Sequence, residues 1–237
     1  MKIPVIFYHK IGHPSQDVKL KNLFVTPENF SRHLRYLRLR NFRSLDCESY
    51  LEIREGDAGH SSRSILITFD DGFRDNYEVA FPLLKKFGFK ATIFLVVGDV
   101  GKRVSWEESE EKVPEDLLTW EQIREMHEYG IDFQVHGFTH RHMDRLNEKE
   151  LKRELKVAKE VLENKLQKEV RFLAYPYGTY NNLVKRIARE CGYCAAFTTW
   201  KGKGKDNFEI KRIGIKYNHS LIKFIRYVEW GKKEKYK

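Results

Sequence analysis

The stretch of residues 64–72, SILITFDDG, constrains the fold more than any other part of the chain. Residues 64–69 carry no charge and are mostly apolar or β-branched, which is typical of a strand buried on both faces of a parallel sheet. Two carboxylates, Asp70 and Asp71, follow directly. Because adjacent strand residues point to opposite faces, one acid could hold a metal and the other a proton. In the alternative interpretation, Asp71 caps a helix that begins near Phe73.

Strand and helix patterns alternate about seven times along the chain, with no linker and no break in composition. This alternation predicts a parallel sheet. No glycine-rich phosphate loop follows an early strand, as it would in many open doubly wound sheets. We therefore predict an α/β fold, a distorted (β/α) barrel of about seven parallel strands that forms a single domain over residues 1–237. The predicted strands are 3–8, 42–45, 64–69, 90–97, 131–135, 170–175, 194–198 and 210–215.

Polar residues that could take part in catalysis or metal binding follow several of these strands at their carboxyl ends: His9, Asp70, Asp71, His136 and Tyr175. In a barrel these ends surround one mouth, where active sites lie. The pattern therefore predicts that these side chains converge.

Two histidines, His136 and His140, are four residues apart, so both imidazoles could bind one metal. Nine histidines in one chain produce such a spacing by chance as well. The carboxylate pair at another strand end favours the metal interpretation. Two histidines, one carboxylate and open water positions form a common catalytic zinc site.

The third informative stretch is residues 171–180, RFLAYPYGTY. Pro176 restricts the backbone, so the N–H group of Tyr177 is positioned to receive a developing oxyanion. The aromatic side chains could line a sugar groove. The alternative is a tight turn with tyrosines packed on the surface.

The net charge of +10 arises from lysine, arginine and glutamate residues that alternate along the predicted helices. This pattern is typical of helices with many ion pairs, as in thermophile proteins, and we do not expect nucleic-acid binding.

The three cysteines, Cys47, Cys191 and Cys194, are too few for a disulfide framework. No segment has the features of a membrane span or a signal peptide. We expect a cytoplasmic protein as the sequence stands, or an extracellular one if a leader was removed.

Together the motifs resemble the NodB-homology polysaccharide deacetylases, carbohydrate esterase family four. The matching stretches are residues 68–72, His136 with His140, and residues 175–178. Residues 3–10 and 196–199 further resemble the branch that acts on poly-β-1,6-N-acetylglucosamine. The resemblance implies metal-dependent hydrolysis of N-acetyl groups on a carbohydrate substrate, with release of acetate.

The resemblance also implies roles for individual residues. Asp71, His136 and His140 would bind one divalent ion, with zinc favoured. Asp70 would be the general base, and the Tyr177 N–H group would donate to the oxyanion. Residues expected to contact the substrate are Tyr175, Pro176, Tyr177 and Trp200.

The sequence departs from the family pattern at three places. Gly137 replaces the usual serine or threonine after the first histidine, and Ala174 replaces the arginine that orients the base. Arg171 cannot be assumed to replace that arginine. The late Leu-x-His motif, which supplies the general acid, is absent from residues 212–217. We therefore predict His9 as the acid, with His219 as the competing candidate.

Two other functions remain open from sequence. One is an amidohydrolase of a small non-sugar amide on the same fold. The other is a catalytically weak carbohydrate-binding domain, which the missing arginine and late histidine would explain. The sequence leaves the oligomeric state open.

Overall fold

The computed structural model describes residues 3–15, 20–56, 63–104, 106, 116–199, 204 and 206–230. Strands and helices alternate through most of this part of the chain. The strands are β1 (Val5–Tyr8), β2 (Lys10–Ile11), β3 (Phe24–Val25), β4 (Arg43–Leu45), β5 (Ser64–Asp71), β6 (Thr92–Leu95), β7 (Asp132–Val135), β8 (Phe172–Ala174), β9 (Ala195–Thr199) and β10 (Ile210–Gly214). The helices are α1 (Pro27–Leu39), α2 (Cys47–Glu55), α3 (Phe81–Phe87), α4 (Trp120–Tyr129), α5 (Glu148–Lys152), α6 (Ala158–Leu166), α7 (Asn182–Glu190) and α8 (Leu221–Trp230).

Seven parallel strands close into a barrel, which confirms the predicted fold. The order β5-β6-β7-β8-β9-β10 is continuous, and β1 pairs with both ends of this series, β5 and β10. The short strand β4 pairs with the first half of β5, whereas β6 pairs with its second half. The carboxyl ends of the seven strands therefore face one mouth.

Side chains alternate across the barrel wall. Ile65, Ile67 and Phe69 of β5 belong to the large core cluster between barrel and helices, and Leu66 belongs to a second, smaller cluster. The smaller cluster also contains Phe94 and Phe197 from other strands. Because strand residues alternate with a period of two, this second cluster fills the barrel interior.

Capping residues fix where several of the helices begin. Thr26 accepts a hydrogen bond from Asn29 N and caps α1, with Pro27 at the first helical position. Thr119 and Asn147 each form a capping box at the start of α4 and α5. In α5, Lys152 Nζ lies 2.7 Å from Glu148 Oε1, the i,i+4 spacing of a helical ion pair.

Two π-helical turns interrupt the helical segments of the described residues. Asn76–Ala80 precedes α3, and Arg153–Val157 joins α5 to α6. Pro82 lies in the first turn of α3, as the sequence allowed. The regular helix here begins at Phe81, several residues after Asp71, so the alternative role of Asp71 as a helix cap is not seen.

Some boundaries differ from the prediction. Strand β5 runs to Asp71 rather than ending at Phe69, because both carboxylate residues pair with β6.

Cys191 packs against the large core cluster, whereas Cys194 packs against the interior cluster. The two thiols therefore have structural positions in different layers. No helix among the described residues has both the length and the apolar character needed to cross a bilayer.

Candidate active site

A cavity of about 470 Å³ opens at the carboxyl ends of the barrel strands. Its wall brings together side chains from β1, β5, β10 and the segments that follow β7 and β8. All five residues that the sequence predicts to converge line this cavity: His9, Asp70, Asp71, His136 and Tyr175. His140 and Tyr177 join them.

Asp71, His136 and His140 form a compact, buried group. The Oδ1 atom of Asp71 lies 3.5 Å from His136 Nε2 and 3.3 Å from His140 Nε2. Two ligands of a tetrahedral zinc ion at 2.0–2.2 Å would be about 3.4 Å apart. The three side chains thus have the spacing of ligands to one ion, and no other described residues form such a group.

The protonation of these side chains also suits a metal. His136 Nδ1 lies 2.8 Å from the Ala174 carbonyl oxygen, so Nδ1 carries the proton and Nε2 keeps its lone pair for a ligand bond. Burial lowers the pKa of His136 to about 4, which keeps the ring neutral. Asp71 Oδ1 is buried without a hydrogen-bond partner, an arrangement that a cation would satisfy. The residues present therefore fit a bound divalent ion.

The backbone is unusual at the same place. Among described non-glycine residues, positive φ values occur at Asp71 (73°), His140 (58°) and Tyr177 (58°), and elsewhere at Asn41 and Gln167. Such conformations are costly for residues with a Cβ atom and persist only where the surroundings hold them. At Asp71 this conformation breaks the alternation of β5, and both Asp70 and Asp71 line the cavity.

Asp70 is paired with an arginine that the sequence prediction missed. Arg212 of β10 donates from Nη1 to Asp70 Oδ1 and from Nη2 to Oδ2, each at 2.7 Å. Nη1 also donates to Thr68 Oγ1 at 3.1 Å. Burial would raise the pKa of Asp70, but the charge of Arg212 and its hydrogen bonds outweigh burial and hold the pKa below its usual value. Asp70 is therefore an oriented, ionised carboxylate.

This pairing corrects our interpretation of the missing arginine. Ala174 leaves no side chain to orient the base, and Arg171 instead contacts Glu48 and Cys194. Arg212, 142 residues further along the chain, instead holds the Asp70 carboxylate, and it is only 1% exposed inside the barrel. The available signal was the pair of basic residues Lys211 and Arg212 between the apolar residues Ile210 and Ile213 of a predicted strand.

Gly137 is explained by its backbone. Its φ of 83° favours glycine, and an added Cβ atom would lie 3.2 Å from Met143 Cε and 3.4 Å from Glu154 Oε2. A serine or threonine would not fit here without movement of these neighbours.

His9 lies at the end of β1 and lines the cavity. Asn76 Nδ2 donates to the His9 carbonyl oxygen at 2.8 Å, and Asp75 Oδ1 accepts from Ile11 N at 2.9 Å. These contacts hold the backbone on both sides of Lys10. His219, the competing candidate, does not line the cavity; its Nδ1 atom accepts from Lys216 N.

The residues predicted to contact substrate differ in placement. Tyr177 is 40% exposed and its ring stacks on His142 at 3.8 Å, so its face borders the cavity. Tyr175 also lines the cavity, but it is 1% exposed and its hydroxyl donates to the Phe208 carbonyl oxygen. Pro176 is buried in the turn. Trp200 lies outside the described residues.

Aromatic rings form one side of the cavity. The Trp106 ring lies 4.5 Å from the His140 ring, and Tyr177 lies 4.7 Å from it. Gly178 borders the same wall, and its φ of 71° and close contact with Thr199 leave no room for a Cβ atom. Trp106 was not predicted as a site residue.

The fold and site define a parallel (β/α) barrel hydrolase with a candidate metal centre at the carboxyl ends of its strands. The sequence model for the Polysaccharide deacetylase family matches residues 57–196, and the chain belongs to this family.

Similar proteins agree with this assignment. A poly-beta-1,6-N-acetyl-D-glucosamine N-deacetylase of Staphylococcus epidermidis is 28% identical over 207 residues, which cover 82% of this chain and 69% of the relative. The structure of Streptococcus pyogenes deacetylase PplD in complex with acetate matches with a TM-score of 0.85 and 28% identity, covering 97% of this chain and 99% of the other. BC0361, a polysaccharide deacetylase from Bacillus cereus, matches with a TM-score of 0.80 and 27% identity, covering 97% and 69%.

Proposed function

We propose that this protein removes N-acetyl groups from a polysaccharide that contains N-acetylglucosamine, with poly-β-1,6-N-acetylglucosamine as the favoured substrate. The family membership supports deacetylation, and the Staphylococcus epidermidis relative is named for this polymer. The domain assignment, a single catalytic domain over residues 1–237, is part of the same proposal.

One divalent ion, with zinc favoured, would be held by Asp71, His136 and His140. When bound, such an ion polarises a carbonyl group and makes a water molecule more acidic. The donor set of one carboxylate and two neutral imidazoles matches that of catalytic zinc sites.

The remaining steps belong to the protein's own side chains. Asp70, oriented by Arg212, takes the proton of the attacking water. The Tyr177 N–H group donates to the oxyanion of the tetrahedral intermediate. His9 then protonates the departing amine, since an unprotonated amine is a very poor leaving group. Acetate and a free amino sugar are the products.

The observation that carries this proposal is the convergence of the Asp71–His136–His140 group with the Asp70–Arg212 pair in one cavity. A catalytically weak binding domain was suggested by the missing arginine and the missing late histidine. The bidentate pairing of Asp70 with Arg212 removes the first of these two reasons and so favours an enzyme.

The test is acetate release from poly-β-1,6-N-acetylglucosamine oligomers. We expect release by the protein as purified, loss of release after treatment with a chelator, and recovery when zinc is added back. N-acetylated small amides without a sugar serve as the comparison substrate. Hydrolysis of these amides with no release from the oligomers would contradict the proposed substrate class.

A further inference from the structure

We propose that Glu154 is a positioning residue for the metal centre, which it supports by holding the backbone of the loop between the two histidine ligands. We call residues 136–140 the histidine loop. The inference rests on the proposed function because it assigns a metal to this loop. It adds a residue from outside the three motifs that identify the family in this sequence.

Glu154 makes three hydrogen bonds to the histidine loop. Its Oε2 atom accepts from Phe138 N and from Thr139 N, each at 2.9 Å. Its Oε1 atom accepts from the Thr139 hydroxyl at 2.5 Å. One carboxylate thus binds two successive backbone N–H groups and the side chain next to His140.

The position of Glu154 in the fold is unusual for a carboxylate. It is only 5% exposed and lies in the π-helical turn Arg153–Val157. Buried carboxylates are retained where several donors compensate for the loss of water, and π-helical turns are frequent at functional sites. Among the described residues, Glu154 makes these three hydrogen bonds to the loop and forms no salt bridge.

The opposite edge of the histidine loop is also held. Val97 N donates to the Gly137 carbonyl oxygen at 3.2 Å, and Gly98 N donates to the Phe138 carbonyl oxygen at 2.9 Å. The loop is thus held between Glu154 on its N–H side and the turn after β6 on its carbonyl side. Gly137, the first residue of the loop after His136, has a φ of 83°, a backbone conformation that favours glycine.

This support acts on a ligand whose backbone is strained. His140 has a φ of 58°, a conformation that the surroundings must hold. Thr139, whose N–H and hydroxyl groups bind Glu154, is its direct neighbour in the chain. Without Glu154, the loop can relax and move His140 Nε2 away from Asp71 Oδ1, which is now 3.3 Å distant.

The test is the zinc dissociation constant of purified protein, measured by competition with a chromophoric chelator. For Glu154→Ala we expect zinc binding that is weaker by about 10–100-fold, the usual effect of losing a residue that supports a metal ligand. For Glu154→Gln we expect near-wild-type affinity, because the amide oxygen can accept from both N–H groups while its nitrogen donates to Thr139 Oγ1. Glu160→Ala is the matched control, since this exposed glutamate lies on the same helical segment.

The melting temperature of each metal-free variant separates positioning from simple stabilisation. If Glu154→Ala melts lower but binds zinc within twofold of the wild type, the proposal is overturned. If the alanine variant does not fold, Glu154→Asp replaces it, because it keeps the charge but withdraws the carboxylate; an unchanged dissociation constant there also overturns the proposal. A wild-type protein that binds no zinc would instead contradict the proposed function, independently of Glu154.

Discussion

At the scale of single residues, the Asp70–Arg212 pair shows how the site obtains an oriented, ionised carboxylate. The Arg212 guanidinium is buried, 4.6 Å from the Phe7 ring and 5.3 Å from the Phe94 ring. A guanidinium in such surroundings needs a carboxylate partner, and a bidentate pair also restricts the carboxylate's orientation. The same contact therefore stabilises the barrel interior and orients the Asp70 carboxylate in the cavity.

Arg212→Met leaves Asp70 buried without its partner, so we expect the free energy of unfolding to fall by about 3–5 kcal/mol. Combining it with Asp70→Asn removes both charges, and we expect the double variant to recover part of that loss. Urea denaturation of the four proteins measures the coupling. Additive losses in the double variant would show that the two side chains do not interact.

Asp70→Asn should lower kcat by about 10²–10⁴-fold, the usual contribution of a positioned proton acceptor. Its zinc content should match the wild type, because Asp70 is not one of the three proposed ligands. Metal analysis and acetate assays on the same preparation check both statements. A variant that loses zinc but keeps turnover of the occupied fraction would mean that the roles of Asp70 and Asp71 are reversed.

The role of His9 is tested by comparing an N-acetyl amide with an activated acetate ester. The ester releases a good leaving group and needs little help from an acid, so His9→Ala should reduce amide cleavage far more than ester cleavage. His219→Ala is the control, since His219 does not line the cavity. Equal losses on both substrates for His9→Ala, or a selective loss at His219, would exclude His9 as the acid.

At the scale of elements, the π-helical turn Asn76–Ala80 connects the acidic strand β5 to the segment that carries His9. Asn76 is fully buried and donates to the His9 carbonyl oxygen at 2.8 Å. Its neighbour Asp75 accepts from Ile11 N. The two segments of the chain that supply the proposed base and the proposed acid are therefore held together by Asp75 and Asn76, which follow β5.

Asn76→Ala removes the hydrogen bond to His9, and we expect amide cleavage to fall by about 10–100-fold through misplacement of the imidazole. Ester cleavage and zinc content should change little. The ratio of amide to ester rates is the measurement. If this ratio stays at the wild-type value, Asn76 does not act through His9.

The same elements show which parts of the site could be predicted from sequence. Asp70 with Asp71, and His136 with His140, are recognisable because residues that act together are close in the chain and follow apolar strands. Arg212 acts on Asp70 from 142 residues away, and its partner depends on barrel closure between β10, β1 and β5. Local patterns contain no information about that closure.

Glu154 was missed for a related reason. The apolar spacing of Leu151, Leu155 and Ala158 predicts the buried face of the helix correctly. Glu154 lies on that face, three residues after Leu151, and a buried carboxylate there should have prompted a search for its partners. The partners are backbone N–H groups, which a sequence does not distinguish from one residue to the next.

At the scale of the whole molecule, one network of ion pairs on the helices lies at the surface. Lys152 pairs with Glu148, and Arg186 with Glu148 and Glu190, but all four side chains are about half exposed. Exposed pairs contribute about 0–1 kcal/mol each. These exposed ion pairs therefore give no support to the thermophile-like interpretation of the sequence.

Stability toward acid should depend on His33, which lies in the interface between α1 and α8. His33 stacks on Phe224 at 4.0 Å, and its Nδ1 atom lies 3.1 Å from the Tyr8 hydroxyl. Burial and the nearby His219 lower the pKa of His33 to about 3. Because the ring takes up a proton near pH 6.5 when unfolded, the free energy of unfolding should fall as the pH drops from 6.5 toward 3.

His33→Gln removes this titration, so its free energy of unfolding should depend less on pH over that window than that of the wild type. Urea denaturation at pH 7 and pH 5, with a chelator present in both series, isolates the difference from any effect of bound metal. Parallel pH dependence of the two proteins would show that His33 does not contribute.

Anomalous diffraction at the zinc absorption edge tests most directly whether Asp71, His136 and His140 hold one catalytic metal ion. Crystals of zinc-loaded protein should show one strong anomalous peak, with Asp71 Oδ1, His136 Nε2 and His140 Nε2 each about 2.0–2.2 Å from it. Crystals of His140→Ala grown under the same conditions should lose the peak while the barrel remains intact. A protein that releases acetate but shows no anomalous peak at these three atoms would contradict the claim.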